Sequence, residues 1–209
     1  MRLYDFTPAP NPRRVRIFLA EKNIQVETVQ VNLRGGEHFA DAFKTKVPQL
    51  IVPSLELDDG TILTESMAIC RYFEALQPQP ALFGSSPREI GTIEMWNRRV
   101  ELEGILATAD ALRNSAERMK GRAVTGPVNY PQIPALAERG KARAAAFFEV
   151  LNNRLGRSTY LAGEAYSVAD INALVMVDFS AWVAVKPTAG QQNLARWYQL
   201  VTARPSAKA

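Results

Sequence analysis

The 209-residue sequence has little from which a metal centre or a redox cluster could be made. Its single cysteine, Cys70, excludes an internal disulfide and any cysteine-based metal cluster. Its single histidine, His38, argues equally against a histidine-rich metal site. No metal is therefore expected, and any sulfur chemistry has to use a thiol brought by a ligand. No apolar run reaches the length of a membrane span, and the first residues lack a charged-then-apolar export segment. The expectation is a cytoplasmic protein with no membrane partner. Nor is either charge in strong excess. There are 25 basic and 21 acidic residues, net +4, and no basic run is interleaved with aromatics. A nucleic-acid partner is not expected, whereas a mildly basic surface suits a small anionic ligand.

What is present is ordinary for a folded protein: 47% hydrophobic and 22% charged residues, enough for one large domain or two small ones. The first 75 or so residues alternate strand and helix signals. "RLYDF" is a short β-rich run, and "RRVRIFLAEK" puts Val15, Phe18 and Leu19 on one helical face. "VETVQVNL" alternates and predicts a second strand. "PSLELDDGTILT" is a hairpin about Asp58-Asp59-Gly60, and "ESMAICRYFEAL" returns to helical spacing. The result is a small mixed sheet with helices packed on it. Residues 78–88, rich in proline with a glycine and paired serines, read as a linker. Beyond them only helical signals remain. A long helix is predicted over 90–119, a break over 120–134 and a second helix over 135–155. The nearly all-apolar stretch 167–185 reads as the buried centre of an α-helical domain. Ser167 and Asp170 resemble a capping box at its start, with Tyr166 and Ile171 in the staple positions.

Three motifs can carry chemistry. Val52-Pro53 lies just before a strand, where a cis bond would turn the Val52 backbone outward to pair with an extended peptide. Glu65-Ser66 opens a helix, whose N–H groups and dipole attract a carboxylate while Glu65 binds an ammonium; the pair can equally serve as a plain helix cap. Pro8, Pro10 and Pro12 stiffen the loop before the first helix, at whose start Asn11 can act as an N-cap. Arg13 and Arg14 either add positive potential there or form a solvated helix face. Cys70 reads as a buried core residue, Trp96, Trp182 and Trp197 as helix packing, and Glu101 and Glu103 as facing apart.

In this order, from Arg2 to the closing "ARWYQLVTARPS", these features resemble a cytosolic glutathione transferase. The resemblance implies an α/β thioredoxin-like N-terminal domain over residues 1–77 that binds glutathione. It implies an all-α C-terminal domain over 89–209 that holds an electrophile pocket. Glutathione would be the co-substrate, with a small electrophile or a disulfide as the other partner, and a homodimer is the usual assembly. By the resemblance Val52 pairs with the cysteinyl part of glutathione beside Ile51 and a cis Pro53. Glu65 and Ser66 hold the γ-glutamyl end, and His38 contacts the glycine end. Many members read N-P-x-G-x-V-P where this chain has Val47 and Leu50 in place of the polar residue and the glycine. The position of the usual catalytic serine or cysteine falls on Ala9, and Tyr4 lies too early. The loop resembles the bacterial Nu-type branch, which uses a T-P-N segment; here Pro10-Asn11 is kept and Ala9 replaces the threonine. The thiolate-stabilising role is thus expected of Asn11, with Thr7 as a substitute. By helical spacing Ile105, Ala109 and Arg113 are expected to line the electrophile pocket, against plain helix packing for each taken singly.

The leading function is conjugation of the glutathione thiolate to an electrophilic carbon. A glutathione-dependent disulfide reductase or peroxidase is the alternative, since a Nu-like loop needs no protein cysteine. A non-enzymatic interaction module built on the same fold is the third reading, argued for by Ala9 and the altered loop.

Overall fold

The computed structural model describes all 209 residues. They form two compact units: Met1–Pro80 with Val124–Asn129 and Ala209, and Ala81–Ala123 with Tyr130–Lys208.

The first unit runs β1 (Arg2–Asp5), α1 (Pro10–Glu21), β2 (Glu27–Gln30), α2 (Asp41–Lys46), β3 (Ser54–Glu56), β4 (Ile62–Thr64) and α3 (Ser66–Leu76). Its four strands are ordered β2-β1-β3-β4. β1 pairs parallel with β2, which requires a crossover, and α1 supplies it. β3 and β4 run antiparallel to their neighbours, with Leu3 opposite Thr28 on one side and Leu55 on the other. This is a thioredoxin-like sheet. The Asp58-Asp59-Gly60 turn forms as the sequence predicts. Gly60 takes φ +84°, and the Asp59 carboxylate accepts from the Thr61 N–H at 2.9 Å. Alternation along β1 sends successive side chains to opposite faces. Tyr4 joins Val31, Phe43, Val47 and Val52 in one cluster, its ring edge-on to Phe43. Its hydroxyl donates to Glu56 Oε2 at 2.5 Å, so Tyr4 is a strand residue tied into the sheet.

Two details differ from the sequence reading. β2 covers only 27–30, a mostly exposed edge, where alternation extends over 26–33. α2 has no counterpart in that reading, because six residues with Phe43 as the only buried one carry no periodic signal.

The second unit contains α4 (Pro87–Arg99), α5 (Leu106–Arg113), α6 (Pro134–Leu155), α7 (Val168–Ser180) and α8 (Gln192–Thr202). The single helix expected over 90–119 is interrupted. Val100–Ile105 widens into a π-helical segment between α4 and α5, and the helix stops at Arg113 before a short 3₁₀ turn, Glu117–Met119. Gly104 lies in the widened turn, where a Cβ would come within 2.7 Å of Met176 and 3.2 Å of Phe147. The close approach of those two side chains is compatible only with a residue that has none. α4 starts ahead of the apolar pattern, at Pro87. Ser86 and Glu89 form a capping box there, and Leu82 and Phe83 just upstream are buried.

α7 is the buried centre of this unit, with only Asp178 outside the buried set. The Ser167–Asp170 capping box is present, and it reaches further than a cap. Asp170 accepts from the Ser167 N–H and hydroxyl, each at 3.1 Å, from the Leu161 N–H at 3.0 Å and from Trp197 Nε1 at 2.9 Å. Burial pushes its carboxyl up from the ordinary aspartate value, while these donors favour the ionised form. The apolar stretch does not stay helical to residue 185: α7 ends at Ser180, and Trp182 in the following 3₁₀ turn is half exposed rather than packed inside. No helix is long and apolar enough to cross a membrane.

Candidate functional site at the N-termini of two helices

The loop between β1 and α1 is held from below by a buried carboxylate. Asp5 accepts from Arg16 Nη1 at 2.7 Å and Gln30 Nε2 at 2.5 Å. Arg16 also donates to the Thr7 carbonyl at 2.9 Å. The Thr7 N–H and hydroxyl both donate to Gln30 Oε1 at 3.0 Å, which commits Thr7 to the loop's own scaffold. α1 then begins with Ala9 at the N-cap, Pro10 first, Asn11 second and Pro12 third. Asn11 is therefore not the cap, because the cap position falls two residues earlier. The first backbone hydrogen bond of the helix runs from the Arg13 N–H to the Ala9 carbonyl at 3.3 Å. Two of the first three helical residues are prolines without an N–H, so Asn11 carries the one main-chain donor that this helix end offers. Arg14 is not on a solvated face. It is buried, and its Nη2 donates to Asn11 Oδ1 at 2.9 Å and to Ser66 Oγ at 3.2 Å.

α3 begins beside it. Glu65 occupies the N-cap position at φ +67°, a left-handed backbone that costs a non-glycine residue about 1–3 kcal/mol. Its carboxylate makes no capping bond. The Ser66 hydroxyl donates to the Asn11 carbonyl at 3.1 Å instead of to its own helix. Plain capping accounts for neither residue. Val52-Pro53 is cis, and the Val52 N–H and carbonyl make no main-chain hydrogen bond within the protein.

These pieces enclose a cavity of about 430 Å³. Asn11, Ile51, Val52, Pro53, Glu65 and Ser66, all singled out from the sequence, line it together. Thr7, Ala9 and His38 do not. His38 is buried, its ring centroid 3.9 Å from that of Phe39, and so it is not a solvated loop residue either. Ile105, Ala109 and Arg113 lie in the second unit and none lines this cavity. Ile105 is buried, and Arg113 spends its guanidinium on the Arg122 carbonyl at 2.8 Å. Cys70 is fully buried, and burial pushes its thiol far above the ordinary range, which rules out a nucleophile there. Glu101 and Glu103 pair with Arg98 and Arg99 respectively.

Sequence reasoning missed Pro48, Gln49 and the wall formed by Thr125, Gly126 and Pro127. The last three belong to Val124–Asn129, which clusters with the first unit although the chain on both sides of it does not. Gly126 takes φ +118°, and a Cβ there would lie 3.9 Å from the Gln49 carbonyl. The Gly-Pro pair signals a turn, but nothing in it says against what the turn packs.

Residues 3–81 match the family model described as the glutathione S-transferase N-terminal domain, and residues 122–205 match the C-terminal one. Glutathione S-transferase 2 of Saccharomyces cerevisiae is 37% identical over 211 residues, covering 100% of this chain and 88% of that protein. The chain belongs to the glutathione S-transferase family. Among solved structures, yeast Gtt2 superposes with a TM-score of 0.90 at 36% identity, over 100% of this chain and 99% of that one. A glutathione S-transferase domain-containing protein from Marinobacter aquaeolei VT8 gives 0.90 at 35% identity, over 99% of each chain. With this transferase fold in view, the altered loop has a geometric meaning. Leu50, where the family pattern has glycine, sits at φ +56°. The loop keeps the backbone that glycine favours and bears the strain of a side chain there.

Proposed function

We propose that this transferase binds glutathione in the cavity at Asn11 and Ser66 and lets the bound thiolate attack an electrophilic carbon of a small molecule. The observation that carries the reading is the convergence of two helix N-termini on one cavity beside a free Val52 backbone. An anion is favoured at each helix end. The α3 end suits the γ-glutamyl carboxylate, with Glu65 near enough to take the ammonium. The Val52 N–H and carbonyl suit the extended main chain of the cysteinyl residue. The α1 end then faces the sulfur with the Asn11 N–H and side-chain amide, with no tyrosine, serine or cysteine at the usual place. Thr125, which lines the same cavity, carries a hydroxyl that can serve as a further donor. Such an arrangement stabilises the thiolate by directed dipoles and lowers its pKa without a protein base.

The decisive experiment is a pH titration of the thiolate absorbance of reduced glutathione bound to the protein. A bound thiol pKa below that of free glutathione, moving up by about one unit in Asn11→Ala, is the expected result. Binding with an unshifted thiol pKa would sink the activated-thiol reading.

A further inference from the structure

Arg14 is a charged side chain of which only 3% is exposed, and it bonds to two residues that line the cavity, Asn11 and Ser66. One of its nitrogens serves both helix ends at once, with Asn11 Oδ1 at 2.9 Å and Ser66 Oγ at 3.2 Å. A guanidinium NH₂ has two hydrogens, one for each acceptor. The hydrogen of the Ser66 hydroxyl goes on to the Asn11 carbonyl at 3.1 Å. Side chain, hydroxyl and main chain thus close a ring that joins the first turn of α1 to the first turn of α3.

We propose that Arg14 is a positioning residue for the glutathione thiol: it decides which end of the Asn11 amide faces the ligand. The inference rests on the reading of this cavity as the glutathione site. An asparagine amide has an acceptor end and a donor end of nearly equal size. The acceptor end turned toward a thiolate repels it, and the donor end attracts it. Arg14 has donors and no acceptor, so only Oδ1 can face it. Both hydrogens of Nδ2 are then left on the outer side of an exposed residue, next to the Asn11 N–H. Loss of Arg14 frees the amide to rotate, and the two orientations cancel much of the attraction. A second contribution, the plain positive charge of the guanidinium, favours any anion nearby and does not depend on Asn11. The two are separable, because lysine keeps the charge while its stem is one bond shorter than the path to Arg14 Nη2, so its ammonium stops short of Asn11 Oδ1 and no longer holds it.

The test is a cycle of Asn11→Ala, Arg14→Lys and the double variant, reading the pKa of the bound glutathione thiol. Affinity for S-methylglutathione, which has no ionisable thiol, is measured alongside by calorimetry. Arg14→Lys is expected to cut the thiolate fraction at fixed pH by about tenfold, as Asn11→Ala does, while S-methylglutathione affinity falls by less than about threefold. The double variant is expected to be no worse than the poorer single one, because both changes remove the same presented amide. An unshifted thiol pKa in Arg14→Lys, or shifts that add in the double variant, overturns the proposal. Should Arg14→Lys fail to fold, Arg14→Gln with and without Asn11→Ala decides. The glutamine amide has an acceptor end as well as a donor end and cannot fix the asparagine. Part of its thiol shift must therefore vanish once the Asn11 amide is gone, and a shift of the same size in both backgrounds overturns the proposal. If the wild-type protein binds neither glutathione nor S-methylglutathione, the site assignment itself falls and this inference with it. That result differs from binding with an unshifted thiol.

Discussion

Asp170 shows how one side chain can be read as local and prove to be shared. From sequence it is the far half of a helix cap. In the structure its Oδ1 holds the Leu161 N–H and the indole of Trp197, and its Oδ2 holds both donors of Ser167. Every direction around the carboxylate is filled by a donor. Asp170→Asn places an NH₂ against two of them whichever way the amide turns, leaving buried hydrogens facing each other. A loss of about 2–4 kcal/mol in urea unfolding is expected, with the glutathione affinity of the remaining folded protein unchanged. The same limit applies to Asn11 and Arg14. Their residue types and their place at a helix start were legible. That Arg14 turns inward was not, because "RR" reads alike for a buried and a solvated side chain. Position along a chain gives a residue's neighbours in sequence, and burial depends on neighbours that only folding supplies.

At the scale of elements, α4 carries a titratable cap. Glu89 accepts from the Ser85 N–H and hydroxyl and from the Ser86 N–H, which lowers its carboxyl from 4.5 to about 2. The folded value lies below the unfolded one, so the cap's contribution is present above about 4.5 and is lost as pH falls toward about 2. Thermal midpoints of the wild type and Glu89→Gln should therefore differ at neutral pH and converge only as pH falls to about 2. A constant gap across that range would show that the charge is irrelevant to the cap. Elements with strong local signals were legible from sequence: the hairpin at Asp58-Asp59-Gly60, the α1 crossover and the apolar α7 with its cap. The six residues of α2 were not, for want of periodicity, nor was the π-helical widening at Val100–Ile105. Gly104 within it packs against Met176 and Phe147, which lie 72 and 43 residues away in the chain.

At the scale of the molecule, close packing inside the helical unit depends on Gly140. A Cβ there would press into the Ala107 carbonyl and come within 2.8 Å of the Ala111 nitrogen, both of them backbone atoms that cannot turn aside. Gly140→Ala should push α5 and α6 apart. The expected cost is about 1–3 kcal/mol, read as a lower thermal midpoint despite the better helix propensity of alanine. A midpoint equal to that of the wild type would mean that the two helices separate freely.

The excursion of Val124–Asn129 into the first unit has a consequence for recombination. A crossover near residue 80 between the genes of two such transferases would give a progeny protein whose cavity descends from both parents. Asn11, Val52 and Ser66 would come from one, and Thr125, Gly126 and Pro127 from the other. The natural unit of exchange is thus the N-terminal module together with a six-residue segment encoded more than forty codons downstream. Hybrids that inherit the two pieces from one parent should keep that parent's glutathione affinity, and hybrids that split them should not.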